Sequence, residues 1–106
     1  MGQFVAEMVA KQVVAAVAPI VAGVARCDGD LAGQMRRATA SVLLNLVEGA
    51  RRVGKDRVQL YRVSAGSAAE VRAALVVAAA FGYAGDVARA DALLDRLLGL
   101  LWGLTH

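Results

Sequence analysis

Glu48 and Glu70 are the first residues of this chain to test for catalysis, because acid–base chemistry commonly sets two carboxylates around one substrate. They lie 22 residues apart. On a helical hairpin that separation puts them near opposite ends, several turns from one another. A structural role in a charge network is the better reading. Cys27 is the sole cysteine and His106 the sole histidine. No internal disulfide can form, and no second soft ligand stands ready for zinc. Cys27 reads as a small hydrophobe near a helix end rather than a reactive thiol. No catalytic residue, metal site or cofactor is assigned, and the chain is not read as an enzyme.

The more informative polar residues are Arg37, Ser41, Asn45, Glu48 and Gly49, answered downstream by Ser64, Gly66, Ser67 and Glu70. Nearly everything around them is Ala, Val or Leu. Polar groups at three- and four-residue spacing in such surroundings belong on helix faces that meet other helices. Buried there unpaired they would be costly, so they are expected to satisfy one another. If the two segments form a hairpin turning near Val53 and Gly54, facing residues have numbers summing to about 107. Arg37 then falls opposite Glu70, Ser41 opposite Gly66, and Asn45 opposite Arg62, with Glu48 one turn from Arg62. The expected network is Arg37, Ser41, Asn45, Glu48, Arg62, Ser67 and Glu70. A helix-interior glycine costs about 1 kcal/mol relative to Ala, so Gly66 predicts a close helix approach.

A second cluster is basic. The stretch from Arg36 to Arg62 carries a net charge of +5, against −2 for the rest of the chain. Arg51, Arg52, Lys55 and Arg57 crowd the hairpin tip, where phosphate-backbone contact is the chemistry on offer. The plainer alternative is cations complementing the C-terminal dipole of the helix before them. With no group of aromatics at the cluster, base-specific recognition is not expected.

Four amphipathic segments must position these groups. The first covers about Gln3 to Ala25, with a bend expected at Pro19. The second is capped by Asp30 and continues to about Arg52. The third runs from about Asp56 to Phe81 and stops at Gly82. The fourth is capped by Asp86. The class is all-α, a single antiparallel up-down four-helix bundle over residues 1–106. Hydrophobic residues are 58% of the 106, and mean hydropathy is +0.55. Four thin helices cannot hide that much apolar surface among themselves, so the excess is expected against another subunit or lipid. Lipid is the weaker reading. A spanning helix wants about 18 or more nearly uncharged residues; Val13–Ala25 is shorter, Glu70 and Arg72 interrupt the third segment, and Asp95 and Arg96 the fourth. Glu7 against Lys11 is not the basic leader of a signal peptide. In the fourth segment Leu93, Leu97, Leu100, Leu101, Trp102 and Leu104 are the candidates for core and subunit contact, with Trp102 the interface anchor.

The run Arg37-Ala38-Thr39-Ala40-Ser41-Val42-Leu43-Leu44-Asn45-Leu46-Val47-Glu48-Gly49, with Ser64-Ala65-Gly66-Ser67-Ala68-Ala69-Glu70 and the turn Phe81-Gly82-Tyr83, resembles the four-helix bundle proteins encoded in intervening sequences of bacterial 23S rRNA genes. Ser64 stands where that pattern usually has Ala, and Val58 where Phe is common. The resemblance implies a cytoplasmic, non-enzymatic protein assembling as a ring, commonly a homopentamer. It extends to the accessory variability determinant of diversity-generating retroelements, a similar pentameric barrel that binds a reverse transcriptase and nucleic acid. The expectation is therefore an oligomeric accessory bundle binding RNA or DNA through Arg51, Arg52, Lys55 and Arg57. The alternative is a purely structural assembly protein.

Overall fold

The computed structural model describes residues 1–106, which form four helices and no strand: α1 Gly2–Ala25, α2 Gly29–Ala50, α3 Gly54–Ala80 and α4 Ala88–Thr105. Their boundaries follow local chemistry. The Asp28 carboxylate accepts from Leu31 N–H at 3.0 Å, so Asp28 caps α2 and the expected cap, Asp30, sits in its first turn. α2 stops two residues before Arg52 because the Arg51 and Arg52 N–H groups close back onto the Glu48 and Gly49 carbonyls. Gly54, at φ +60°, reverses the chain into α3. Gly82, at φ +75°, ends α3 while Tyr83 N–H reaches the Ala78 carbonyl at 2.8 Å. The Asp86 carboxylate accepts from Ala88 N–H at 2.9 Å, but Asp86 sits one residue before the N-cap position, which Val87 occupies. α1 runs uninterrupted through Pro19, whose ring lies on the exposed side.

α2 packs against α1 and α3, and α4 against α1 and α3. The four enclose one core of 21 buried residues, with Val9, Val13 and Val17 from α1, Met35, Val42 and Leu46 from α2, Tyr61, Val71 and Leu75 from α3, and Leu94, Leu97 and Leu101 from α4. Apolar periodicity near 3.6 thus marks the inward stripe of α1, α2 and α4, whereas in α3 exposed Val76, Val77 and Ala79 blur it. Gly2 against Leu104, Gly49 against Tyr61 and Tyr61 against Gln3 bring the start of α1, the end of α2, the start of α3 and the end of α4 to one end of the bundle.

Much apolar surface stays outside. Phe4, Leu44, Val76, Phe81 and Trp102 are each about two-thirds exposed. The expectation that no segment is long and apolar enough to cross a membrane is corrected: α1 and α3 both are, with 33% and 28% of their apolar stretches buried in the bundle. Hydropathy averaged along a helix counts Ala and Val heavily and lets one Glu–Arg pair pass, which reading the charges one by one did not.

Candidate nucleic-acid interface

The polar string between α2 and α3 forms at its centre and not at its ends. Ser67 Oγ donates to Ser41 Oγ at 2.7 Å, and Asn45 Nδ2 donates to both the Ser41 hydroxyl and the Ser41 carbonyl at 2.9 Å. One turn away, fully buried Ser64 donates to the Val42 carbonyl at 2.7 Å. No buried side-chain polar atom lacks a partner. These pairs keep the sum-to-107 register, so the helices face as expected.

The charged ends are corrected. Arg37 and Glu70 are both exposed and share no ion pair, and Arg62 is likewise unpaired. Glu48 instead binds Arg52 on its own helix at 3.0 Å. Long charged side chains at the rim reach water at little cost, and an exposed pair contributes under about 1 kcal/mol. Register therefore does not compel them to meet. Gly66 is also corrected: it is exposed, and a Cβ built there meets nothing within 4 Å. The close approach is at Gly49, where a Cβ would lie 2.8 Å from two ring carbons of buried Tyr61. Tyr61 in turn donates its hydroxyl to Gln3 Oε1 on α1 at 3.2 Å. Burial pushes the Tyr61 phenol up, with Arg57 pulling the other way.

At the hairpin tip the four expected cations divide. Arg57 is half-buried and donates to the Gly49 and Ala50 carbonyls at 3.3 and 3.1 Å, closing the C-terminus of α2. Arg52 holds Glu48. Arg51 and Lys55 are exposed with no ion pair, and Arg62 stands one helical turn further along α3 than Val58 on the same open, polar depression as Lys55. The free positive charge is thus Arg51, Lys55 and Arg62 rather than the whole tip.

On α4, Leu97 and Leu101 are fully buried in the subunit core, which removes them as interface residues; Leu93, Leu100 and Leu104 are partly buried. Trp102 is 64% exposed and stacks on His106. The sequence reading missed Arg72, which clamps α3 to α4 by reaching Asp91 at 2.7 Å and Asp95 at 3.0 Å. The four-residue spacing of the two aspartates was the available signal. The Arg72 hydrogen bond holds the Asp91 carboxyl below the usual carboxylate range, the reverse of what a general acid requires. Glu48 and Glu70 are exposed, and no three His, Cys, Asp or Glu side chains converge where a metal could bind.

The model of the 23S rRNA-intervening sequence protein family matches residues 8–102, from the second turn of α1 almost to the end of α4. The chain belongs to this family. The match takes in the whole α2–α3 hairpin, with the serine–asparagine relay, the Gly49–Tyr61 contact and the basic tip. No curated protein and no solved structure matches the chain.

Proposed function

We propose that this family member is a non-catalytic, self-assembling accessory protein of the cytoplasm that binds the phosphate backbone of RNA or DNA through the α2–α3 tip. The observation carrying this reading is that Arg51 and Lys55 stand exposed at the turn without ion pairs, with Arg62 close by on α3. Arg52 lends partial charge while held by Glu48. Contact pairs such as Ser41–Ser67 and Gly2–Leu104 support an antiparallel, up-down order of helices. Repetition of the tip around a ring, a pentamer by family resemblance, would multiply weak phosphate contacts. A nucleic-acid enzyme such as a reverse transcriptase is the proposed protein partner, by resemblance to the retroelement accessory proteins. A purely structural assembly protein is the second reading, favoured by the exposed apolar residues of α1, α2 and α3.

Fluorescence anisotropy with labelled single- and double-stranded oligonucleotides tests the first reading. Affinity should fall linearly on a log–log plot against salt. Each cation engaged contributes about 0.7–0.9 to the slope, so Arg51→Ala with Lys55→Ala should flatten it by roughly 1.4–1.8 per engaged subunit. Binding that is absent at low salt, or a slope unchanged in the double variant, refutes it.

A further inference from the structure

At the end of the bundle away from the basic tip, α1 and α4 do not match in length. α1 has 24 residues and α4 has 18. With Gly2 against Leu104 at the tip end, the last turns of α1 outrun the start of α4. The connection from α3 to α4 shares a cleft of ≈ 560 Å³ with them, a size that holds small molecules. Its walls are apolar: Ala16, Pro19 and Ile20 of α1, Ala84 of the connection and Ala90 of α4. Tyr83 also lines it, half-buried and stacked on Phe81 with ring centroids 5.6 Å apart. Beyond its first residue, α1 contains two residues of helix-breaking type, Pro19 and Gly23, and both line this cleft. Such local conflicts concentrate where a surface serves something other than stability. A Cβ at Gly23 would lie 3.8 Å from Arg26 Nη2 and 3.8 Å from the Tyr83 carbonyl oxygen, so the Arg26 guanidinium folds back over the glycine. Arg26 and Arg89 both line the cleft, and both are exposed and in no ion pair. The one acid there, Asp86, already accepts from Ala88 N–H. Two guanidiniums against one carboxylate leave the lining at a net +1, and no Ser, Thr, Asn or Gln contributes to it.

We propose that this cleft binds a small monocarboxylate with an apolar body, its carboxylate held by Arg26 and Arg89 and its hydrocarbon laid along Pro19, Ile20 and Tyr83. The planar fork of a guanidinium matches a carboxylate and gives charge-assisted hydrogen bonds. Apolar walls on either side strengthen those bonds by lowering the local dielectric. The net +1 of the lining suits a ligand with one negative charge rather than two. A sugar or a base would leave water here and find no hydroxyl or amide side chain to replace it, which disfavours a nucleotide. The cleft lies at the opposite end of the bundle from Arg51 and Lys55, so this site stands or falls independently of phosphate-backbone binding at the tip.

Titration of the isotope-labelled full chain with hexanoate, followed by amide chemical shifts, tests this. The shifts should gather at Ile20, Gly23, Arg26, Tyr83, Gly85 and Arg89 and saturate along one binding curve. Arg26→Ala and Arg89→Ala should each weaken binding about tenfold or more, the loss of one charged hydrogen bond. Both side chains are exposed and unpaired, so far-UV circular dichroism should show the fold intact. Arg96→Ala, which removes an exposed cation of α4 outside the cleft, should leave binding unchanged. Acetate, which lacks the apolar body, and hexanol, which lacks the charge, should each bind roughly tenfold more weakly or worse. Absence of saturable shifts at millimolar hexanoate overturns the site. Shifts scattered over the exposed apolar surface, or indifferent to both arginine substitutions, overturn it as well. Acetate binding as well as hexanoate removes the role of the apolar walls. Phenyl phosphate binding more tightly than benzoate overturns the monocarboxylate in favour of a phosphate ester.

Discussion

Replacing Gly49 by Ala should destabilise this protein even though alanine is the better helix former. The new methyl would lie 2.8 Å from Cδ1 and Cε1 of Tyr61 and 3.2 Å from Leu60 Cβ. The ring cannot swing aside: Tyr61 is 1% exposed and its hydroxyl is tied to Gln3. Overpacking of this kind costs about 1–3 kcal/mol. Two ring atoms within one clash put the change toward the upper end, about 2–3 kcal/mol. Against this stands a gain of about 1 kcal/mol in helix propensity. The net loss is about 1–2 kcal/mol, a fall in Tm of roughly 5–10 °C for a chain of this size. Thermal and urea unfolding followed by circular dichroism measure it. Gly99→Ala, at an exposed α4 position with open space around its Cβ, is the control and should raise Tm. Repeating Gly49→Ala in a Tyr61→Leu background should recover part of the loss, since the clash and its partner are then coupled. A Gly49→Ala protein that melts at or above wild type would refute the claim that this close approach sets the α2–α3 distance.

The tip cations should separate by role: Arg57→Ala should cost about 1 kcal/mol by releasing the Gly49 and Ala50 carbonyls, whereas Arg51→Ala should stay within about 0.5 kcal/mol in the same urea titration. Ser67→Ala should cost about 1 kcal/mol through loss of its bond to Ser41, and Glu70→Ala should leave subunit stability within the ordinary surface range; comparing the two by denaturation checks which part of the polar string matters. Because Arg72 lowers the Asp91 carboxyl, the stability it supplies is present above the unfolded-state value of about 3.9 and is lost as pH falls through the lower folded-state value. Asp91→Asn should therefore show a shallower loss of Tm between about pH 4 and pH 2 than wild type.

How much was legible in advance depends on what each residue must satisfy. Val9, Val13 and Val17, or Leu94, Leu97 and Leu101, declare the buried stripe of their helices through periodicity alone, and Gly54 and Gly82 mark the turns because the backbone there takes positive φ. The Ser41–Asn45–Ser67 relay was also readable, since short polar side chains among Ala and Val have no other partners within reach. The charged ends were not. Arg37, Arg62 and Glu70 have long or exposed side chains that water serves as well as a partner, so facing position says nothing about pairing.

The residues by themselves determined four helices, their inward faces and the hairpin register, because backbone hydrogen bonding and apolar burial are local demands that recur at fixed spacing. Only the tertiary structure decided which glycine is pressed by a ring, Gly49 and not Gly66, and which cations are occupied, Arg57 and Arg52 and not Arg51 or Lys55. It also left the outer surfaces of α1 and α3 uncovered. Those outcomes turn on ångström-scale distances between helices and on the direction of flexible side chains, which no spacing along one chain encodes.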